Sequence, residues 1–172
     1  MARVDEVISN FAVYEDAVEF LGMSEATLPE VENVAEEMSG SGIGGKLESI
    51  VLGHVEAMTL TLNFRTVTAA AIKLAEPRIH RIDLRAAQQE QNTRTGIIET
   101  RSVKHILRVK PKKFSPGKLA AASAADASGE YAVYYYAIHI DGVKKIEIDP
   151  LNFIYIINGI DYMKDIRKAL GK

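Results

Sequence analysis

Between Ala57 and Arg65 apolar and polar positions alternate without a break. Met58, Leu60, Leu62 and Phe64 fall on one side, and Thr59, Thr61, Asn63 and Arg65 on the other. A period of two predicts a half-buried strand. Thr66 then reads as a helix N-cap, the run Thr68-Ala-Ala-Ala-Ile-Lys-Leu-Ala as a short helix, and Pro77 as its stop. Two extended stretches follow. Ile79, Ile82 and Leu84 punctuate the first; in the second Val103, His105, Leu107 and Val109 share one face while Thr100, Ser102, Lys104 and Arg108 share the other. The polar run ending at Gly96 joins them into a long hairpin over 78–109. Residues 110–130 carry Pro111, Pro116, Gly117 and an Ala/Ser/Asp/Gly-rich run, and predict a flexible loop.

Tyr131 to Ile140 is rich in tyrosine and β-branched residues and predicts a strand. Asp141-Gly142 predicts a type I′ turn into a partner strand, Val143 to Asp149. Phe153 to Ile157 predicts another short strand before the Asn158-Gly159 turn. A C-terminal helix is expected from Asp161, as its N-cap, to Leu170. The pattern predicts a mainly β fold. It is a two-sheet sandwich or partly open antiparallel β-barrel, with one short internal helix and a C-terminal helix.

A length of 172 residues fits a single domain over 1–172, and 47% hydrophobic with 26% charged residues fits a packed globular core. Cysteine is absent, which removes disulfides, zinc-thiolate sites and cysteine nucleophiles. Asp5, Glu6, Glu15, Asp16 and Glu19 make the first residues unlike a signal peptide, and no apolar run reaches the roughly 20 residues of a membrane span. A soluble intracellular protein without a membrane partner is expected. The net charge of −2 conceals a bipolar chain. Residues 1–58 hold two basic and twelve acidic residues, a net of −10, whereas residues 78–118 hold eleven basic and three acidic residues, a net of +8. Such a split fits nucleic-acid binding, association of unlike surfaces between subunits, or pairing within one fold.

No chemistry-bearing motif survives its context. Gly40-Ser-Gly-Ile-Gly-Gly-Lys46 has the spacing of a phosphate-binding loop, but Leu47 replaces the Ser or Thr that holds magnesium, and no buried strand precedes it. It reads as part of a glycine-rich surface loop over 39–53. His54, His80, His105 and His139 lack metal-ligand spacing, and Glu30, Glu32, Glu36 and Glu37 lack a calcium-loop frame. The basic stretch 101–118 contains one aromatic, Phe114, where single-strand binders interleave several. No catalytic, metal or cofactor site is expected. The residues by themselves leave a bipolar β-rich assembly domain or a β-barrel nucleic-acid-binding module.

The order of segments carries more. It runs through Ala26-Thr-Leu-Pro-Glu-Val-Glu-Asn, the glycines at 40–45 and Ala57-Met-Thr-Leu-Thr-Leu-Asn-Phe. It then reaches Tyr136-Ala-Ile-His-Ile-Asp-Gly-Val-Lys-Lys-Ile-Glu-Ile-Asp-Pro-Leu-Asn and Ile157-Asn-Gly-Ile-Asp before a basic helix. This resembles the major tail tube protein family of contractile-tailed, P2-like bacteriophages and tailocins, with a type VI secretion-type tube protein, similar in fold, as the alternative within the same structural class. The resemblance implies a structural subunit, not an enzyme, that forms hexameric rings stacked into a hollow tube. Sheath, tape-measure and baseplate proteins would be its partners, DNA at most a transient non-specific passenger, and the virion tail its location after assembly in the bacterial cytoplasm. Ring-stacking candidates are then Glu36, Glu37, Gly40, Gly42, Gly44, Gly45 and Glu48 against Arg81, Arg85, Arg101 and Lys104. Lumen-facing candidates are Thr59, Thr61 and Asn63.

Overall fold

The computed structural model describes residues 2–20 and 22–172. The strand with the clearest alternation is β6 (Thr59–Phe64): Leu60, Leu62 and Phe64 are buried, while Thr59, Thr61 and Asn63 are half-buried on the opposite face. It pairs with the spine of the molecule, β9 (Ala127–Ile140). The first half of β9 holds β6, and the second half holds β10 (Val143–Asp149) along the same edge. The other edge of β9 is taken over its whole length by β8 (Ile98–Ser115). Two strands sharing one edge split the sheet there, so β6 folds back over the layer that continues through β8. Leu60, Leu62 and Phe64 thereby meet Leu107 and Val109 of β8 and Ile82 and Leu84 of β7 (His80–Asn92) in one core.

The main sheet runs on through β1 (Arg3–Glu15) to the short β2 (Val18–Phe20) at one end. At the other end lie β11 (Ile154–Ile157) and β12 (Ile160–Asp161). Among the described residues every pairing is antiparallel, β3 (Met23–Thr27) lines the far side of β6, and the ends do not close on each other. The fold is the expected one, a partly open β-barrel with two short helices, α1 (Ala69–Lys73) and α2 (Lys164–Ala169). Both predicted tight turns have positive φ at their two central residues: 48° and 79° at Asp141-Gly142, 49° and 80° at Asn158-Gly159.

Several boundaries differ from the sequence reading. The expected loop over 39–53 is a hairpin of β4 (Asn33–Met38) and β5 (Leu47–Val55), with Met38 opposite Leu47, so only residues 39–46 form its loop. The run Ile50-Val51 and Val55 has β-branched character that the neighbouring glycines masked. The loop expected over 110–130 shrinks to residues 116–126. Strand β8 passes through Pro111 because β7 has already ended opposite Val109 and a bulge follows, a position that tolerates a missing N–H. Helix α1 is capped by Thr68, not Thr66: the Thr68 hydroxyl accepts from the Ala71 N–H at 3.2 Å. Helix α2 starts at Lys164, and Asp161 belongs to β12, where its carboxylate accepts from the Met163 N–H at 3.0 Å. The acidic N-terminus, for which no element was expected, forms the 13-residue β1, whose first half is exposed.

Candidate subunit interfaces

Among the described residues, no group of three or more His, Asp or Glu side chains is placed to hold a metal ion. Two of the four histidines are structural. His80 pairs with Glu15 in the interior. His105 shares a hydrogen bond of 3.0 Å with the Tyr136 hydroxyl and stacks on its ring, and burial lowers its pKa below the ordinary histidine value. The features that invite chemistry of another kind are the surfaces left unpaired.

Strand alternation distributes the basic candidates over two faces. Register places Arg85 opposite Lys104 and Arg81 opposite Arg108, all on the outer face of the sheet. Asp83 sits between two of them, 3.0 Å from Arg85 Nη2 and 3.1 Å from Lys104 Nζ. The Asp83 carboxylate holds the Arg85 guanidinium above its ordinary pKa. Arg81 is exposed. Arg101 pairs with Gln88 on the inner face and is engaged within its own chain by the Glu90 carboxylate, which is 1% exposed, and by Asp5 at 3.5 Å. Arg3 closes the same cluster, 3.3 Å from Glu90 and 2.9 Å from Glu99. The bipolar charge is therefore partly neutralised inside the subunit, where the acidic β1 lies along the basic β7 and β8.

Sequence reading missed the aromatic support of the outer face. Arg85 lies over the Tyr14 ring at 4.5 Å, Arg108 over Tyr135 at 4.4 Å and Lys110 over Tyr134 at 5.0 Å. Tyr134 and Tyr135 reach the same face because β9 bulges between Val133 and Tyr135, so that two residues oppose one step of β8. The parity of Arg81, Arg85, Lys104, Arg108 and Lys110 was a readable signal; the bulge was not.

The acidic candidates sit on the β4–β5 hairpin. Glu37 and Glu48 face each other directly, relieved by Lys46 Nζ at 2.7 Å from Glu37, while Glu36 points to the opposite face. Gly40, Gly42, Gly44 and Gly45 form the tip with open space about each, and Gly42 has φ +89°. The face that carries Glu37 and Glu48 also presents Ile50 and Leu52, 59% and 44% exposed. Large exposed apolar side chains on a hairpin of only two strands mark a surface that water alone covers poorly. Between residues 34–52 and the body of the fold no hydrogen bond or ion pair is present among the described residues.

Two further surfaces are open. The outer edge of β1 is paired by β2 only at Val13–Glu15, which leaves ten residues of strand edge free among the described residues. Where the inner face of β1, β7 and β8 runs past the cover of β3, a groove of about 480 Å³ is lined by Phe11, Ala26, Leu28, Leu84 and Val103. The lumen candidates Thr59, Thr61 and Asn63 form the polar face of β6; the Thr59 hydroxyl accepts from Lys112 Nζ at 3.4 Å.

The chain is 22% identical over 162 residues to the tail tube protein of Escherichia phage P2, covering 92% of this chain and 93% of the relative. Its fold is similar to the sheath/tube terminator of PVC, an extracellular contractile injection system, at a TM-score of 0.56 and 10% identity, over 79% of this chain and 97% of the other. It is likewise similar to the tube-terminating cap of the anti-feeding prophage, at a TM-score of 0.51 and 16% identity, over 80% and 92% of the two chains. These two likenesses speak for the fold. The profile of the family described as phage tail tube protein FII matches residues 5–171, so the chain belongs to that family and is a structural subunit of a phage-type tail tube.

Proposed function

We propose that the chain, as a single tail tube domain over 1–172, closes into hexameric rings that stack as the inner tube of a contractile tail, within a sheath and joined to tape-measure and baseplate proteins. The observation that carries this reading is the unclosed sheet: its long free β1 edge is a liability for a monomer and is removed when neighbouring subunits continue the sheet around a ring. Stacking is head-to-tail, so unlike surfaces meet. The hairpin with Glu36, Glu37 and Glu48 and its tip of Gly40, Gly42, Gly44 and Gly45 is one surface; the outer face with Arg81, Arg85 and Lys104 is the other. Arg101 is held by Glu90, and its part is to brace the subunit rather than to reach a neighbour. The polar face of β6, with Thr59, Thr61 and Asn63, suits a wet lumen that lets DNA slide without holding it. The domain has no catalytic role in this reading.

Salt tests the stacking contacts. Exposed charges weaken as the Debye length falls from about 10 Å at 0.1 M to about 3 Å at 1 M. Sedimentation and negative-stain microscopy of concentrated protein are expected to show faster tube formation at low salt. The double reversal Arg81→Glu, Arg85→Glu is expected to block stacking, and Glu37→Lys with Glu48→Lys to restore it in the reversed background. Tube formation indifferent to salt and to the reversals would remove these contacts from the proposal.

A further inference from the structure

We infer that Met163 is the seat that sets the angle of the β4–β5 hairpin, making the turn before α2 a positioning element for a surface on a different sheet. The hairpin is a two-stranded sheet of its own. Its outer half is regular, with Ala35 opposite Ile50 and Glu36 opposite Ser49. Its base is tied by the pair Asn33 and Val55, by the Tyr155 hydroxyl donating to Asn33 Oδ1 at 3.1 Å, and by the Glu56 N–H donating to the Glu32 carbonyl at 2.8 Å. Between base and outer half the register slips, so that residues 51–54 of β5 face the single residue Val34. A bulge of this kind bends a strand and marks where it flexes.

Gly53 lies in that slipped segment with φ +76°. A Cβ placed on it would lie 1.8 Å from Met163 Sδ and 2.8 Å from its Cγ, so the thioether fills the space that only glycine leaves open. Met163 is 2% exposed and belongs to the main core. Its backbone is fixed from both sides: its N–H donates to Asp161 Oδ1 at 3.0 Å, and its carbonyl accepts from the Arg167 N–H at 2.9 Å. One core side chain on a rigid turn thus abuts the bare backbone of the flexing segment. Beyond this contact, residues 34–52 have no hydrogen bond or ion pair to the body among the described residues, so the seat governs the direction in which the acidic and apolar face of the hairpin points.

The inference rests on the proposed stacking role only for its consequence, and the test separates the two. The chain has no cysteine, so Ser41→Cys at the hairpin tip and Ile72→Cys on α1 accept spin labels without background. Pulsed electron resonance on the full-length monomer is expected to give one narrow distance distribution. Gly53→Ala is expected to displace it, since a Cβ there meets the Met163 thioether and the positive φ strains any residue other than glycine. Met163→Ala is expected to broaden it by removing the seat, and the double variant to follow Met163→Ala rather than Gly53→Ala. Met163→Leu, which keeps bulk in the core, controls for loss of fold, read by circular dichroism. A distribution unchanged by Gly53→Ala in a folded protein overturns the inference. A displaced hairpin that still forms tubes at the wild-type rate upholds the seat and instead removes the hairpin from the stacking contacts.

Discussion

His80 Nδ1 and Glu15 Oε1 are hydrogen-bonded to each other in the sealed interior, with 0% and 1% of the two residues exposed. His80 Nε2 faces the Glu76 carbonyl at 2.9 Å, while Arg78 Nη2 lies 3.1 Å and Lys73 Nζ 3.8 Å from the Glu15 carboxylate. One carboxylate therefore ties the end of β1 to the start of β7 and to the helix before it. Arg78 and Lys73 remain in contact with water, so removing the carboxylate leaves mainly the buried His80 Nδ1 without a partner, at a cost of about 1–3 kcal/mol. Glu15→Ala is expected to lower unfolding stability in urea by about that amount. A loss below about 1 kcal/mol would show that the cluster relaxes by taking in water.

Gly129 and Tyr131 make a second prediction. A Cβ on Gly129 would lie 2.2 Å from the Tyr131 hydroxyl, and Tyr131 is 1% exposed, so its ring has no room to retreat. Gly129→Ala is expected to cost about 1–3 kcal/mol by overpacking. Tyr131→Phe in the same chain is expected to return part of it, because the hydroxyl is the nearest clashing atom. Additive losses in the double variant would sink this account.

The alkaline limit of stability follows from three tyrosines. Burial pushes the pKa of Tyr131, Tyr135 and Tyr136 from 10.0 up to about 12, helped at Tyr135 by its hydrogen bond to Glu147. The folded state thus favours the protonated phenol. Its contribution is full below the unfolded value near 10 and is lost as pH rises from there through about 12. Stability measured against denaturant is expected to fall across that window, more shallowly in Tyr136→Phe. A flat profile to pH 12 would contradict the burial of these rings.

At the acid end, the hydrogen bonds that Arg167 donates hold the Asp161 carboxyl below its ordinary value. A depressed carboxyl stabilises the fold above its unfolded pKa, and that support disappears as pH falls through the lower folded value. The protection factors of the Met163 and Arg167 amides, which are exchange rates referred to the intrinsic rate at each pH, are expected to fall on acidification and in Asp161→Ala at neutral pH. Unchanged protection in Asp161→Ala would mean that packing alone holds the turn.

Legibility followed the range of the interaction. The alternation through Leu60, Leu62 and Phe64 marked β6, and Asp141-Gly142 and Asn158-Gly159 marked their turns, because such signals depend only on neighbours in sequence. The β4–β5 hairpin was hidden because the glycines at 40–45 outweighed Ile50 and Val51, and Asp161 looked like a helix cap because its true partners, Arg167 and the Met163 N–H, depend on how the chain turns. Arg101 looked like Arg85 in a list of basic residues. Register sends the two to opposite faces, one toward Glu90 and the other beside Asp83.

By itself the sequence determined a mainly β chain without cysteine, an acidic first third against a basic middle, and the segment order of a tail tube subunit. Composition, period-two patterning and turn chemistry are local properties, and they survive in any fold the chain adopts. Only the tertiary structure decided which charges neutralise one another within the subunit, which strand edge stays free, and that Gly53 is the bare surface on which Met163 rests. Those outcomes depend on the pairing of residues far apart in the chain, where a shift of one position moves a side chain to the other face.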